Sequence, residues 1–525
     1  MIQSRYTYRM RALSRELEGY DHITVIESAI KSLQAEKGDN VKKLKRLPWI
    51  QFFLLKISLL SSSGSKIMTP NKFNRYANKL YAMQLHATGI DSGNVTLRLR
   101  PMMLQQLWYQ TQKERTYLDF VRQSIFFSKK NPWYESSFRS ATGLSLSVFY
   151  KISIYLLTVA KRHTHTVVDL NLFSTVFHLC PGISFENIVV YLRLVGVRSV
   201  DLARYFKKHK LTDVYQSEFF QDTPLKDRPV LINGSDLLIF DTDVFFSGMS
   251  QYVPAVLKRI PGYKEQFGKD YELYVDEVLR HSGIAYWRET REIDDFYKRH
   301  GIKGKRVDFL LEDDERVILI ESKAIEPSPI VKTASDPGLL KKLLDDSFIK
   351  AIKQGVHSAY HLGMTKRFAG KRFFLLVVTH MDFGIYGGRW IADYVDGELE
   401  SWIESAYPGG ALALDDVMYC TVADLEDLAR GHVAQAFDFI DVVCNASTKG
   451  LQSYEQKMVF SQALHNLPAK RALFNDSIST LLGKTVNDMD VLFRSNRSEW
   501  AGDVGALIYY RNRVLDYVNS RPFSF

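Results

Sequence analysis

The sequence predicts a multidomain chain of mixed class: a helical N-terminal region, an α/β domain with a mixed central sheet, and a helical C-terminal region. Length is the first reason, because 525 residues exceed one ordinary core at about 100 to 200 residues per domain. Pattern is the second. Apolar residues recur at three and four spacing through most of residues 1–225 and again after 431, as amphipathic helices require. The third is the stretch between, residues 261–430, where helical pattern alternates with short apolar runs such as VDFLL, RVILIES and RFFLLVVTH. A composition of 46% hydrophobic and 24% charged residues excludes a disordered or fibrous chain.

The formal charge of +10 and a pI near 9.1 favour a polyanionic partner, with nucleic acid the expected one. Cys180, Cys420 and Cys444 are too widely spaced for a disulfide framework or a C-x-x-C zinc site, so a reducing compartment, the cytoplasm, is expected. The N-terminal MIQSRYTYRMRALSRELEGY has no apolar core after its charges and does not read as a secretory signal. WIQFFLLKISLL and VFYKISIYLLTVAK are each broken by a lysine, short of the roughly 20 residues that a membrane span requires. Both read as helices packed in a core, and no membrane partner is expected.

Taken in order, residues 1–225 read as helical, suited to holding a substrate or a protein partner. Within them ENIVVYLRLVGVRSVDLARYFKKHK reads as two helices about a turn at Gly196, either an ordinary hairpin or a DNA-reading pair. SSSGSK, Ser61 to Lys66, lacks the first glycine and the Gly-Lys-Ser/Thr ending of a phosphate loop and reads as a Ser-rich turn. His163 and His165 in KRHTHT lack a third ligand and read as surface residues. In residues 226–260, RPVLI, NGSD and LLIFD spell a hairpin at the junction between the helical half and the α/β domain. Residues 261–430 then run as a helix through YELYVDEVLRHSG, strands at IAYWRE, VDFLL and RVILIES, a helix near SFIKAIKQGVHSAYHLG, the strand RFFLLVVTH, and VMYCTVADLEDLARG. Residues 431–525 return to helical pattern, ending in ALIYYRNRVLDYVNSRPFSF.

The charged end of one strand points to chemistry. In VDFLLEDDERVILIESKA the run Val317 to Ile320 reads as a buried strand, yet it leads straight into Glu321 and Lys323. A symmetric turn centred between Asp313 and Asp314 sets Asp308 opposite Leu319, and strand alternation then puts Asp308, Glu321 and Lys323 on one face. Carboxylates so grouped repel one another unless a cation offsets them, and hard oxygen ligands with room for water suit Mg²⁺. Upstream, Glu272 shares the helix face of Val275 and Leu279, the face expected to pack on the sheet. Glu277 points about 140 degrees away, whereas Asp276, about 40 degrees off, is the second choice.

In this order, Glu272 on a helix, Asp308 on a strand and Glu321-Ser322-Lys323 on the next, the chain resembles the PD-(D/E)XK nuclease superfamily of restriction-endonuclease-like fold. The resemblance covers roughly residues 263–430, and each of its motifs is short. It implies that Asp308 and Glu321 hold Mg²⁺ (or Mn²⁺), that Lys323 positions the nucleophilic water, and that Glu272 completes the metal shell. Two departures stand out: Val307 precedes Asp308 where the family often has proline, and the helix after the E-x-K strand has Gln354 but Ser358 four residues on, with Tyr360 beyond. In the branch similar to RecB-type nucleases that helix carries Gln and Tyr four residues apart, so the resemblance carries over to Gln354 only, as a residue that would orient nucleic acid or bond the lysine, with Tyr360, off that spacing, a further substrate-binding candidate. Lys350 and Lys353 on the same helix are candidates to meet phosphates.

The expected function is Mg²⁺-dependent hydrolysis of phosphodiester bonds, in DNA before RNA, with a role in bacterial anti-phage defence or mobile-element conflict expected by analogy. The competing expectations are a non-catalytic scaffold that binds protein or nucleic acid, and a toxin acting on tRNA.

Overall fold

The computed structural model describes residues 5–34, 47–91, 93–110, 113–128, 131–451, 455, 457–465, 467 and 476–520. The first four and last five residues of the chain, read above as part of terminal helical pattern, lie outside the described residues. Two units emerge, one of Met1–Gly93, Met102–Pro261 and Thr480–Phe525, the other of Asn94–Pro101 and Gly262–Ser479. These units redraw the segments read from sequence. Residues 226–260 lie in the first unit and immediately precede its boundary at Pro261, residues 94–101 join the α/β unit, and the C-terminal region splits, with 480–525 assigned to the first unit.

The first unit is mostly helical because its long apolar runs bury together. WIQFFLLKISLL lies in the Pro48–Leu60 helix, which is almost wholly buried, and its lysine, Lys56, pairs inside with Glu218 at 2.8 Å. VFYKISIYLLTVAK lies in the Leu146–Arg162 helix. No single described helix is long and apolar enough to cross a membrane. A four-stranded sheet interrupts the helices: β1 (Val168–Leu170), β2 (Gly196–Arg198), β3 (Val230–Asn233) and β4 (Asp236–Ile239), in the order β1-β4-β3-β2. The β3–β4 hairpin has a two-residue turn, and Gly234 supplies its positive φ of 62°. Gly196 corrects the expected helix–turn–helix, since it opens β2 and pairs in parallel with Val230. An added Cβ there would overlap the carbonyl of Leu192, so glycine lets a helix run directly into a strand. The C-terminal helix Asp476–Glu499 returns to this unit through Asn496, which donates to the carbonyl of His178 at 2.7 Å, and Trp500 donates to that of Cys180 at 2.9 Å.

The α/β unit holds five strands, β5 (Trp287–Arg288), β6 (Phe309–Glu312), β7 (Arg316–Lys323), β8 (Arg372–Thr379) and β9 (Val417–Thr421), side by side in chain order. β5, β6 and β7 are antiparallel, while β7, β8 and β9 are parallel, so the sheet is mixed. Odd-numbered side chains Val317, Leu319, Phe373, Leu375 and Val377 pack into one cluster with Ala351, Ile352 and Val356 of the Lys350–Gly363 helix. Even-numbered ones face the other way, toward the Tyr263–Ser282 and Val422–Val433 helices, which contact β7, β8 and β9. With both faces covered, Val317 to Ile320 are fully buried, each contributing about 1.5 to 3 kcal/mol over exposure.

The hairpin register differs from the expected one by two residues. Phe309 pairs with Ile320 and Leu310 with Leu319, which sets the rung of Asp308 against Glu321. Asp313 is the reason. Its N–H donates to the carbonyl of Arg316 at 3.0 Å and its side chain accepts from Arg316 N at 2.7 Å, which centres the turn between Asp314 and Glu315. A shift of two keeps the alternation of faces unchanged.

Candidate functional site

The buried run of β7 delivers Glu321 to the end of the sheet at 2% exposed. Lys323, two residues on and on the same face, donates to Glu321 Oε1 and to Gln354 Oε1 at 3.3 Å. Gln354 in turn donates from Nε2 to the carbonyl of Arg306 at 3.5 Å, so this glutamine links the lysine to the loop that leads to Asp308. The other carboxylate oxygen, Glu321 Oε2, is buried and has no hydrogen-bond partner.

Asp308 stands one residue outside β6, and strand alternation therefore does not dictate its side chain. Ser322, the middle of the E-S-K triplet, holds it instead, donating to Oδ2 from N at 2.6 Å and from Oγ at 2.5 Å. Glu289 follows β5, and its N–H donates to the carbonyl of Asp308 at 2.7 Å, which sets the two carboxylates side by side across adjoining chains. Glu272 arrives from the Tyr263–Ser282 helix, whose Val275 and Leu279 are fully buried and whose Tyr274 OH donates to Glu426 at 2.7 Å. One oxygen each of Glu272, Glu289 and Asp308 lies within 4.8 Å of the others. Among the described residues this is the one group of three or more acids, histidines or cysteines so spaced; His163 and His165 join none.

Burial, with repulsion from neighbouring acids second, pushes this group toward its neutral forms. Burial, then Asp308, pushes Glu321 up to about 8 against the pull of Lys323. Burial, then Asp308 and Glu289, pushes Glu272 up to about 7. Burial also raises Asp308, against the Ser322 hydrogen bonds and Lys323, and burial and Asp308 together raise Glu289, opposed by Arg306. Four carboxylates above their ordinary range beside one lysine form a set of hard oxygen donors that is short of positive charge.

Other sequence candidates lie differently. Asp276 is committed to Arg288 at 2.8 Å and to Tyr286 OH at 2.8 Å, which leaves Glu272 as the helix acid of the group. Tyr360 is not seen with the acids: its ring packs on His361 and Tyr407, because six helix residues turn it about 120 degrees from Gln354. The Lys353 ammonium lies 5.0 Å over the Trp402 ring, and Lys350 is exposed at the start of its helix. Glu289 was missed in the sequence. Its one signal is its place at the end of IAYWRE, a carboxylate closing a strand next to the one that leads to Asp308.

Comparison of the chain with family models, curated proteins and solved structures finds no match in any of the three. The class of the protein therefore rests on the geometry of this site.

Proposed function

We propose that the α/β unit is a restriction-endonuclease-like nuclease domain that hydrolyses phosphodiester bonds of nucleic acid with Mg²⁺. The observation that carries this reading is the meeting of Glu272, Glu289 and Asp308 within 4.8 Å at the end of a strand that also bears Glu321 and Lys323. Those residues fit a hard divalent cation: all donors are carboxylate oxygens, and Glu321 Oε2 is buried without a partner. Glu272, Glu289 and Asp308 would hold the ion, with Glu321 beside them. Bound there, Mg²⁺ supplies a water of lowered pKa and offsets charge on the phosphate. Lys323, held by Glu321 and Gln354, would donate to the attacking water or to a phosphate oxygen. Asp308, steadied by Ser322, stays in place as charge builds.

Purified protein incubated with supercoiled plasmid, linear duplex, single strands and RNA, with Mg²⁺ or Mn²⁺ and with chelator, tests the proposal. Cleavage is expected with metal only, and at least 100-fold slower in Lys323→Ala and Asp308→Ala, about the lower bound for a lost general acid–base or electrostatic group. Metal-independent cleavage, or cleavage at the same rate in both variants, would remove this site from the mechanism. Tight capture of a protein partner with no cleavage of any substrate would favour a scaffold instead.

A further inference from the structure

We propose that the α/β unit takes a single-stranded nucleic acid along the Lys350–Gly363 helix, its backbone held by the loop Lys303-Gly304-Lys305 and a base stacked on Trp402. This deepens the nuclease reading above and rests on it for the identity of the site the strand leads to.

The loop is the first observation. In KRHGIKGKR, residues 298–306, five of nine residues are Lys or Arg and none is acidic. Lys298 and Arg306 share Asp294, at 2.6 and 2.7 Å. Lys303 and Lys305 are exposed and have no acid partner among the described residues, so both ammoniums are available to phosphate. The loop is also fixed in position. Its Lys303 carbonyl meets His357 Nε2 at 2.9 Å, and Gly304, at φ +112°, lies so close to that ring that an added Cβ would overlap it. Lys305 is three residues before Asp308, about 10 Å even if fully extended.

Aromatic surface beside the loop is the second. Trp402, on the Leu399–Ala406 helix, keeps 38% of its surface exposed. Its ring receives the Lys353 ammonium at 5.0 Å and the edge of Tyr407 at 6.0 Å. Tyr407 OH meets His357 Nδ1 at 3.1 Å, which leads back to the lysine loop. Lys353 is the neighbour of Gln354, which touches Lys323. Lys303 and Lys305 of the loop, Lys353 of the Lys350–Gly363 helix and Trp402 of the Leu399–Ala406 helix thus lie beside one another through His357 and Tyr407, and Gln354 links this patch to Lys323.

That patch discriminates between forms of nucleic acid. A duplex offers its phosphates to the lysines but hides its base faces, whereas an unpaired strand offers both, and stacking on an exposed aromatic adds affinity without reading sequence. DNA and RNA strands share this chemistry.

Fluorescence anisotropy of the full chain carrying Asp308→Asn, titrated onto labelled single-stranded DNA, single-stranded RNA and duplex DNA of equal length, tests the path, with cleavage by the otherwise wild-type chain measured in parallel. A single strand of at least one sugar type should bind about tenfold tighter than duplex. Trp402→Ala should remove about tenfold of that affinity, with Trp402→Phe restoring most of it, which a merely unfolded variant would not show. Lys303→Glu with Lys305→Glu should lower the slope of log affinity against log salt by about 1.4, two phosphates at about 0.7 each. Duplex bound as tightly as single strands, or unchanged binding in both sets of variants, would overturn the path while leaving the nuclease reading standing if cleavage persists. Binding as expected without cleavage would keep the path and reject the hydrolysis. Absence of binding to any nucleic acid would overturn both.

Discussion

Glu289 and Glu321 show how single residues are stressed by their neighbours. Each is a carboxylate placed by backbone pairing, Glu289 against Asp308 and Glu321 within β7, so the sheet brings negative charges together at a cost that a cation would offset. Glu289→Gln removes one of them. In chelator its melting temperature should equal or exceed that of the wild type, while the gain on adding Mg²⁺ should shrink. For the wild type that gain reaches about 2.7 kcal/mol at 100-fold excess over the dissociation constant, and differential scanning fluorimetry across a Mg²⁺ series reads both quantities. Protonation gives a second test. Glu272 and Glu321 are raised to about 7 and about 8 in the folded chain, above an unfolded carboxylate, so the metal-free folded state binds their protons more tightly. Its stability is therefore fullest below the unfolded value and is lost as pH rises through about 7 to 8. Thermal melts in chelator should fall from about pH 4.5 to about pH 8, and Glu321→Gln should flatten that fall.

Elements determine which of these residues meet. The hairpin from Phe309 to Lys323 was legible because its period is strict and its apolar run is long; the turn centre was misplaced by a two-residue shift that leaves the faces of β6 and β7 as they were, but Asp308, outside β6, is turned to Ser322 and the alternation did not fix it. Glu289 was not legible, since β5 has two residues and the chain then enters a π-helical turn, too short a pattern to fix a direction. Tyr360, chosen although it lies two residues past the family spacing, is turned by helix rotation toward Tyr407. Residues 94–101 were read with the helical region because its apolar pattern is helical, and Val95–Gln110 is one helix, yet they belong with the α/β unit. Arg100 explains why. Arg100 is 2% exposed, and its guanidinium donates to the carbonyls of Val331 at 2.8 Å, Phe383 at 2.5 Å and Gly384 at 3.4 Å, tying the Pro329–Thr333 helix after β7 to the loop after β8. Arg100→Met would strand those acceptors and should destabilise the chain by roughly 3 kcal/mol or more, seen in urea denaturation as a lower midpoint at unchanged slope.

At the scale of the whole molecule, charge and class were readable while connectivity was not. Amphipathic periods and alternating runs are local, so the helical and α/β character of the chain could be inferred from sequence. The return of residues 480–525 to the first unit depends on Asn496 and Trp500 meeting backbone carbonyls near His178 and Cys180, and a carbonyl leaves no mark in sequence. Trp500→Ala should cost about 3 to 5 kcal/mol. Hydrogen exchange should show the loss of protection in the Leu172–Leu179 helix and little change in β7 and β8. The hydrolysis proposed for the α/β unit turns on a divalent cation seated among Glu272, Glu289 and Asp308. Anomalous diffraction from crystals soaked in Mn²⁺ locates such an ion directly: a peak within bonding distance of those three carboxylates, absent in Asp308→Ala, is the predicted result, and an empty site at saturating Mn²⁺ would contradict it.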